Sequence, residues 1–242
     1  MPEDFFGADV APRYDARLGA MGDPAVIEPT VDFLVEHARG GAALELGIGT
    51  GRIAVPLHQR GVPVHGIDLS EAMLAELRAK PGAEGIDVAV GDFAHTTVEG
   101  RFTLTYLVFN TIQNLTSQGE QVACFRNVAD HLETGGRFVI EVRVPDLQRL
   151  PKGETCRPIE VRDDYVGFDE IDVAEQRMVS HHLRLHDGQF ERHSVPFRYV
   201  WPAELDLMAQ LAGMRPIERW ADWHRAPFTS KSGQLVAVWE KR

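Results

Sequence analysis

The stretch "ALELGIGTGR", Ala43 to Arg52, decides the fold, because a short apolar run leads directly into glycines at positions 47, 49 and 51. A strand, a tight glycine turn and a helix N-terminus together place unpaired backbone N–H groups beside a bound nucleotide. The dinucleotide-binding pattern GxGxxG has its third glycine where this chain has Arg52. Because a bulky side chain there opposes the close approach of a pyrophosphate, the spacing GxGxG favours a ligand other than NAD.

Carboxylates stand around this loop at the ends of predicted strands, where open α/β sheets bind their ligands. Glu45 lies two residues before the first glycine, where it disfavours a second anion and favours an ammonium or sulfonium cation. Asp68 closes "VHGID" about 20 residues after Gly47, as expected of an acid that binds a ribose diol. Asp92 follows the next strand-like run, and Phe93 offers a flat apolar surface for an adenine ring. Capping and turn formation are the structural alternatives for both aspartates.

Residues 42–142 alternate strand-like apolar runs with helix-like periodicity, which is typical of a parallel sheet flanked by helices. The strand-like runs are "AALEL", "VPVHGI", "IDVAV", "FTLTYLVF" and "RFVIEV", and "PAVIEPTVDFLVEHARGG" before them predicts an amphipathic helix. Ser70 predicts the start of a helix. Ser117 and Glu120 predict a capping box, and Gly135 predicts the stop of the helix that follows it.

The pattern changes after this core. Residues 143–200 are polar and strand-rich, and Asp187–Gly188 in "HHLRLHDGQFERH" suits the two-residue turn of a hairpin. Pro202 begins a further predicted helix, Gly213 follows its end, and two strand-like runs come last. The predicted fold class is α/β: a doubly wound, mostly parallel Rossmann-like sheet with a C-terminal antiparallel hairpin and a small antiparallel β lid.

We expect 1–242 to be a single domain with four parts. These are an N-terminal cap (1–23), a cofactor-binding core (24–142), a β lid insertion (143–200), and a C-terminal helix with strands that complete the sheet (201–242).

Charge and composition limit the function. With 36 acidic and 25 basic side chains, the formal net charge of -11 would repel both a nucleic-acid backbone and an anionic membrane. No apolar run is long enough to span a bilayer. Cys124 and Cys156 make no CxxC, so neither a zinc site nor a disulfide framework is indicated. We therefore expect a cytoplasmic monomer or homodimer that binds a small molecule, with no nucleic-acid or membrane partner.

Four motifs in order, "ELGIGTGR", "GIDLSEAM", "VGDF" and "LETGGRFVIEV", resemble those of class I S-adenosylmethionine-dependent methyltransferases, over roughly residues 24–142. The resemblance implies that the cofactor is S-adenosylmethionine. It implies that Glu45 and the glycines hold the methionine part, Asp68 takes the ribose hydroxyls, and Asp92 accepts a hydrogen bond from the adenine amine.

The resemblance also places Met73 near the adenine, and it matches Tyr14 in "PRYDARL" to an N-terminal aromatic that often closes over the cofactor. Each has a structural alternative, since Met73 shares an apolar helical stripe with Leu74 and Leu77, and Tyr14 suits ordinary surface packing. The predicted cofactor-binding residues are Tyr14, Glu45, Gly47, Gly49, Gly51, Arg52, Asp68, Leu69, Met73, Asp92, Phe93 and Phe109.

Methyl transfer from a sulfonium requires an in-line nucleophile and, for a hydroxyl or ammonium acceptor, removal of a proton. The tetrapeptide "NPPY" of some DNA and protein amide methyltransferases is absent, and "VFNTIQNL" stands in its place. With no catalytic cysteine pair and no magnesium-type cluster in the sequence, we expect metal-free transfer to oxygen or nitrogen of a small molecule. The predicted substrate-binding residues are Asn110, Asn114, Arg143, Tyr199 and Trp201. Trp201 could equally anchor the last helix.

The predicted hairpin pairs His182 with His193. Leu183, Leu185 and Phe190 fall on the opposite face, which we expect to join the core. The histidine face is either solvated or roofs the substrate cavity, in which case His182 or His193 is a general base.

Two other functions remain open. A nicotinamide-dependent oxidoreductase would use the same strand, glycine loop and helix, although Arg52 and the GxGxG spacing oppose it. A non-catalytic S-adenosylmethionine-binding protein would keep the pocket and use its lid for a protein partner.

Overall fold

The computed structural model describes residues 5–8, 10–17, 19–186 and 188–242. The α-helices of this part of the chain are α1 (Ala11–Arg17), α2 (Pro24–Ala38), α3 (Ala54–Gln59), α4 (Glu71–Arg78), α5 (Gln118–His131) and α6 (Pro202–Leu211). The strands are β1 (Ala43–Leu46), β2 (Val64–Asp68), β3 (Asp87–Val90), β4 (Phe102–Leu107), β5 (Leu132–Arg143), β6 (Cys156–Arg162), β7 (Tyr165–Asp172), β8 (Arg177–His186), β9 (Gln189–Arg198), β10 (Met214–Trp220) and β11 (Gln234–Lys241). Short 3-10 helices lie at Gly19–Gly22, Thr111–Asn114 and Leu147–Arg149.

Seven strands form the main sheet in the order β10-β11-β5-β4-β1-β2-β3. Strands β1 to β5 run parallel, whereas β11 is antiparallel to both of its neighbours. The order reverses between β1 and β4, and open α/β sheets bind ligands at such a switch point, outside the carboxyl ends of the strands. The predicted fold class is confirmed.

Apolar side chains on both faces of this sheet explain its near-continuous hydrophobic strands. Phe138 and Ile140 of β5 lie in one core, which also contains Phe125 of α5. Val139 between them lies in the other core, with Phe33 of α2. Alternation along β5 thus serves two layers of helices, with α5 and α6 on one side and α2, α3 and α4 on the other.

The predicted helix starts are confirmed. The Ser70 hydroxyl accepts a hydrogen bond from the backbone N–H of Met73 at the start of α4. Ser117 and Glu120 form both hydrogen bonds of the capping box of α5. The predicted stop at Gly135 is wrong. Helix α5 ends at His131 and β5 begins at the next residue, because Leu132 already pairs with β4 before an irregularity in the register.

The lid is a separate four-stranded antiparallel sheet in the order β6-β7-β8-β9. Strands β8 and β9 pair as predicted, with His182 opposite His193, although Asp187 of the predicted turn lies outside the described residues. At the base of the lid, the Arg198 guanidinium donates to Glu204 of α6 over 2.7 Å, and the Gln121 side chain of α5 donates to the Arg198 carbonyl. These contacts join the lid to the main sheet's helices.

The expectation that Leu185 and Phe190 join the core is wrong, since their exposed fractions are 41% and 60%. Leu183, which the same prediction placed in the core, is half-buried. On the opposite face, Tyr165 and Val195 are buried. Alternation separates the two faces of a strand but does not say which face is covered where a hairpin is solvated near its tip.

Within the described residues, no helix combines the length and apolarity needed to cross a membrane.

Candidate active site

A cavity of about 350 Å³ lies at the carboxyl ends of β1, β2 and β3, where the strand order reverses. Its volume is within the range of small-molecule sites. The lining residues come from the N-terminal segment, the glycine loop, the ends of the strands, the start of α5 and the lid: Phe5, Phe6, Tyr14, Gly47, Gly49, Asp68, Leu69, Met73, Asp92, Phe93, Thr111, Asn114, Leu115, Thr116, Glu120 and Pro196.

The glycine loop requires its glycines. Gly47, Gly49 and Gly51 have φ angles of 69°, 54° and 75°, in the left-handed region that other residues rarely adopt. A Cβ atom on Gly47 would meet the Thr111 side chain at 2.5 Å. Gly47 and Gly49 line the cavity, whereas Gly51 packs below the loop against Leu77. The loop can therefore approach a ligand with its bare backbone.

Asp68 at the end of β2 is fixed by two backbone groups. Its Oδ2 accepts from the Gly49 N–H over 2.7 Å, and its Oδ1 accepts from the Ser70 N–H over 2.9 Å. The carboxylate thus bridges the glycine loop and the start of α4 while lining the cavity. Each carboxylate oxygen carries two lone pairs. Asp68 can therefore accept further hydrogen bonds from hydroxyl groups of a ligand.

Asp92 and Phe93 follow β3 and border the same cavity. Asp92 Oδ1 accepts from the Ala94 N–H over 2.9 Å. Asp92 therefore stabilises a turn, which was the structural alternative, and also lines the cavity. Met73 and Leu69 complete this side, and the Met73 side chain is buried as well as lining the cavity. Flat and apolar surface beside a carboxylate suits a nucleobase with an amino group.

The N-terminal segment closes the cavity. Tyr14 of α1 lies edge-on to Phe6 with ring centroids 6.0 Å apart, and both line the cavity with Phe5. The Ser70 hydroxyl donates to the Phe6 carbonyl over 3.0 Å, which ties the segment to α4. Burial raises the pKa of the Tyr14 hydroxyl. Tyr14 was predicted from the sequence, whereas the aromatic pair Phe5 and Phe6 was not.

Glu45 lies beneath the loop and does not line the cavity. Its side chain is buried, and Oε2 accepts from the Tyr106 hydroxyl over 2.9 Å. Burial raises the pKa of Glu45 to about 8, although the Tyr106 hydrogen bond and the charge of Arg52 act in the opposite direction. A carboxyl of this kind changes charge near neutral pH and responds to a cation placed above it.

Strand β4 is followed by a strained turn outside the cavity lining. Phe109 and Asn110 both have left-handed backbones, with φ angles of 58° and 64°, which is costly for residues with side chains. Glu141 Oε2 accepts from the Phe109 N–H over 2.9 Å. The guanidinium of Arg52 lies 4.9 Å from the centroid of the Phe109 ring. These contacts direct the chain to Thr111, which lines the cavity.

The predicted substrate residues are only partly brought together. Asn114 lines the cavity, but Asn110, Arg143, Tyr199 and Trp201 do not. Trp201 is the residue before α6 and lies edge-on to Tyr199, which favours the alternative that it anchors this helix. Sequence reasoning missed several residues at this end of the cavity, which depend on tertiary contacts: Thr111, Leu115, Thr116, Glu120 and Pro196.

His182 and His193 stack side by side, with ring centroids 6.5 Å apart, and the Tyr165 hydroxyl is 2.6 Å from Nδ1 of His182. Pro196 lines the cavity three residues after His193. Because side chains alternate along a strand, His193 faces away from the cavity, and so does its partner His182. In this structure neither histidine lines the cavity, and the role of His182 or His193 as a general base stays a prediction that this placement does not favour. Burial, with the nearby positive charge of His193 and Arg184, lowers the pKa of His182.

Among the residues that the structure describes, no group of three or more His, Cys, Asp or Glu side chains is placed to hold a metal ion.

Comparison with known proteins points to one enzyme class. Residues 43–136 match the protein-family model described as "Methyltransferase domain". The structure of the CcbJ methyltransferase from Streptomyces caelestis is 37% identical in sequence, with a TM-score of 0.86 and 96% of each chain covered.

Two further proteins are more distant. The cypemycin N-terminal methyltransferase of Streptomyces sp is 28% identical over 210 residues, with 84% of each chain covered. An amino pentose methyltransferase of Micromonospora echinaspora, involved in calicheamicin biosynthesis and crystallised with S-adenosylmethionine bound, is 21% identical, with a TM-score of 0.68 over 93% of this chain and 95% of that one. This likeness concerns the fold.

Proposed function

The chain belongs to the class I S-adenosylmethionine-dependent methyltransferases, and from that premise we propose that it transfers a methyl group, without a metal ion, to oxygen or nitrogen of a small-molecule acceptor. The observation that carries the proposal is the cavity at the switch point. Its lining combines the glycine backbone at Gly47, the carboxylates of Asp68 and Asp92, and the polar side chains of Asn114 and Glu120, groups that suit a nucleoside and an acceptor bound beside it.

The cofactor fits the first side by the chemistry of the lining. Asp68 accepts the ribose hydroxyls, and Asp92 accepts from the exocyclic amine of adenine. Phe93 and Met73 pack against the ring, while the bare backbone at Gly49 borders the methionine part. Leu69 and the N-terminal aromatics cover the site and exclude water.

The acceptor occupies the side between the start of α5 and the lid, bordered by Asn114, Thr116 and Pro196. S-adenosylmethionine, held by Asp68, Asp92 and the glycine loop, would supply an activated methyl group for the acceptor atom and would leave as S-adenosylhomocysteine. The protein's part is to align the acceptor and keep it dry, and positioning alone accounts for a large share of such rates. His182 and His193 lie outside this cavity, so the proposal assigns them no proton transfer.

The name of one relative, the cypemycin N-terminal methyltransferase, supports nitrogen as an acceptor atom. The proposal also includes a single domain, a cytoplasmic location, a monomer or homodimer, and no nucleic-acid or membrane partner. The net charge of -11 supports the last of these.

Calorimetric titration with S-adenosylmethionine, S-adenosylhomocysteine and NAD in parallel tests the proposal. We expect micromolar binding of the first two and no binding of NAD. Binding of NAD alone would return the oxidoreductase to first place. Cofactor binding without formation of S-adenosylhomocysteine, across a broad set of amine and hydroxyl acceptors, would favour the non-catalytic alternative.

A further inference from the structure

The charges that line the cavity all have one sign. Its acidic side chains are Asp68, Asp92 and Glu120, and no Lys, Arg or His is among the lining residues that the structure describes. A concave site lined by carboxylates attracts cations and repels anions. Asp68 ends β2 and Asp92 follows β3, and the proposed function assigns both to the cofactor. Glu120 stands at the start of α5, shortly after Asn114, Leu115 and Thr116 in the chain, and the proposed function gives this part of the lining to the acceptor.

Glu120 uses one oxygen for the fold and leaves the other for a ligand. Its Oε2 accepts from the Ser117 N–H over 2.9 Å and so closes the capping box. Within the described part of the chain, Oε1 accepts no hydrogen bond, and no Lys or Arg forms an ion pair with the carboxylate. The capping bond fixes the orientation of the side chain. Glu120 is therefore a pre-oriented anion in a cavity wall.

The surroundings of Glu120 strengthen its preference for a cation. Leu115 is buried and Pro196 of the lid is half-buried, and both border the cavity beside it. Apolar walls reduce the local dielectric constant, so that an opposite charge bound here is held more strongly than at an open surface. Asn114 and Thr116 add uncharged hydrogen-bonding groups, which orient a polar ligand without neutralising the carboxylate.

We infer that Glu120 is the specificity-determining residue for the acceptor, and that it binds a protonated amine carried by that molecule. This inference rests on the proposed function, because it takes the other side of the cavity to be filled by the cofactor. The acceptor class is then a small molecule with a basic amino group, and neutral or acidic analogues of the same size are poor ligands. Glu120 was recognised in the sequence only as a helix cap.

The test separates the cap from the ligand site. Glu120→Gln keeps a capping box, because glutamine serves at this position as well as glutamate, but it removes the charge. Glu133→Gln removes the same charge at an exposed position outside the cavity and serves as the matched control. Each protein is saturated with S-adenosylhomocysteine, and the binding of small primary and secondary amines is measured by NMR titration, each amine paired with the alcohol of the same skeleton.

We expect at least one amine to bind clearly better than its alcohol. Glu120→Gln should weaken the binding of that amine by about tenfold to a hundredfold, as expected from loss of a hydrogen bond to a charged group. The affinity for S-adenosylhomocysteine should stay unchanged in both variants, and Glu133→Gln should bind the amine like the wild type.

Equal binding of every amine and its alcohol overturns the inference, and so does an amine affinity that Glu120→Gln leaves unchanged. In either case cofactor binding would stand, and with it the proposed function. If the wild-type protein fails to bind S-adenosylhomocysteine, the proposed function fails and this inference with it. The thermal midpoint of Glu120→Gln is measured beside that of the wild type. An unchanged midpoint excludes loss of the helix start as the cause of weaker binding.

Discussion

Glu141 Oε2 holds the backbone N–H of Phe109, 2.9 Å away, at the point where β4 turns into two consecutive left-handed residues. The other oxygen of Glu141 accepts from the Trp223 indole over 3.1 Å and from the Gln234 side chain over 2.9 Å. The side chain is buried at the end of β5. One carboxylate therefore satisfies three donors from three separate segments and fixes a strained turn beside the cavity.

Replacing Glu141 by Gln should lower the free energy of unfolding by about 1 to 3 kcal/mol, because the NH2 group that takes the place of one carboxylate oxygen cannot accept a hydrogen bond and leaves at least one buried donor without a partner. Urea unfolding measures the change, with Glu133→Gln as the control at an exposed position. Stability equal to that of the wild type would show that water or a neighbouring group satisfies the donors instead.

Asp68→Ala should weaken S-adenosylmethionine binding by about 1 to 3 kcal/mol, through loss of charge-assisted hydrogen bonds to the ribose and of the bonds that orient the glycine loop. Calorimetric titration gives the affinity, and the exposed Asp163→Ala controls for the loss of one negative charge. Wild-type affinity in a folded Asp68→Ala protein would remove Asp68 from the ribose site.

Gly47→Ala should abolish measurable cofactor binding, because the new Cβ would lie 2.5 Å from the Thr111 side chain, on a backbone with φ of 69°. Gly188→Ala is the matched control, since its φ is 77° but no atom lies within 4 Å of the added Cβ. Both variants carry the backbone strain of an L-residue in this region. A difference between them therefore reports the clash with Thr111, which only Gly47→Ala has. Equal cofactor affinity in the two variants would contradict this account of the loop.

Burial of Glu45 predicts a pH-dependent stability. The unfolded carboxyl ionises near its ordinary pKa of 4.5, whereas burial raises the pKa of the folded one to about 8. The folded state therefore binds more protons between these values, and this group's contribution to stability is lost as the pH rises from 4.5 to 8. The thermal midpoint of Glu45→Gln relative to the wild type should rise over this interval and then level off. A difference that is constant with pH would mean that Glu45 is ionised in the folded protein.

His182→Ala should change turnover by no more than about twofold, because the imidazole lies on the face of the lid that is turned away from the cavity. Formation of S-adenosylhomocysteine with an amine selected by the binding experiment is the measurement. General bases typically contribute a factor of about 100 or more. A loss of that size, with cofactor affinity preserved, would restore His182 as a base and require the lid to move.

The parts of the fold that the sequence predicted are those specified by neighbouring residues. Positive φ angles leave few choices besides glycine, so Gly47, Gly49 and Gly51 marked the loop. The capping box at Ser117 and Glu120 is likewise a four-residue pattern.

The site was predicted less completely, because its far side is assembled from distant segments. Phe5, Phe6 and Pro196 reach the cavity only through the docking of α1 and the lid, and no local pattern encodes that docking. The hairpin register of His182 and His193 followed from the turn, but the direction of each face depends on what covers the sheet. That information lies in tertiary packing.

The pairing of β5 with β11 joins Val142 to Leu235, on the far side of the whole lid. During synthesis, β5 therefore has an unpaired edge until β11 has left the ribosome, and the apolar Val139 and Ile140 lack their last partner strand until then. Long-range pairing of this kind forms slowly, and open apolar edges invite pairing between nascent chains. Slower translation or a chaperone during expression should thus favour soluble protein more than a change in the buffer of the finished product.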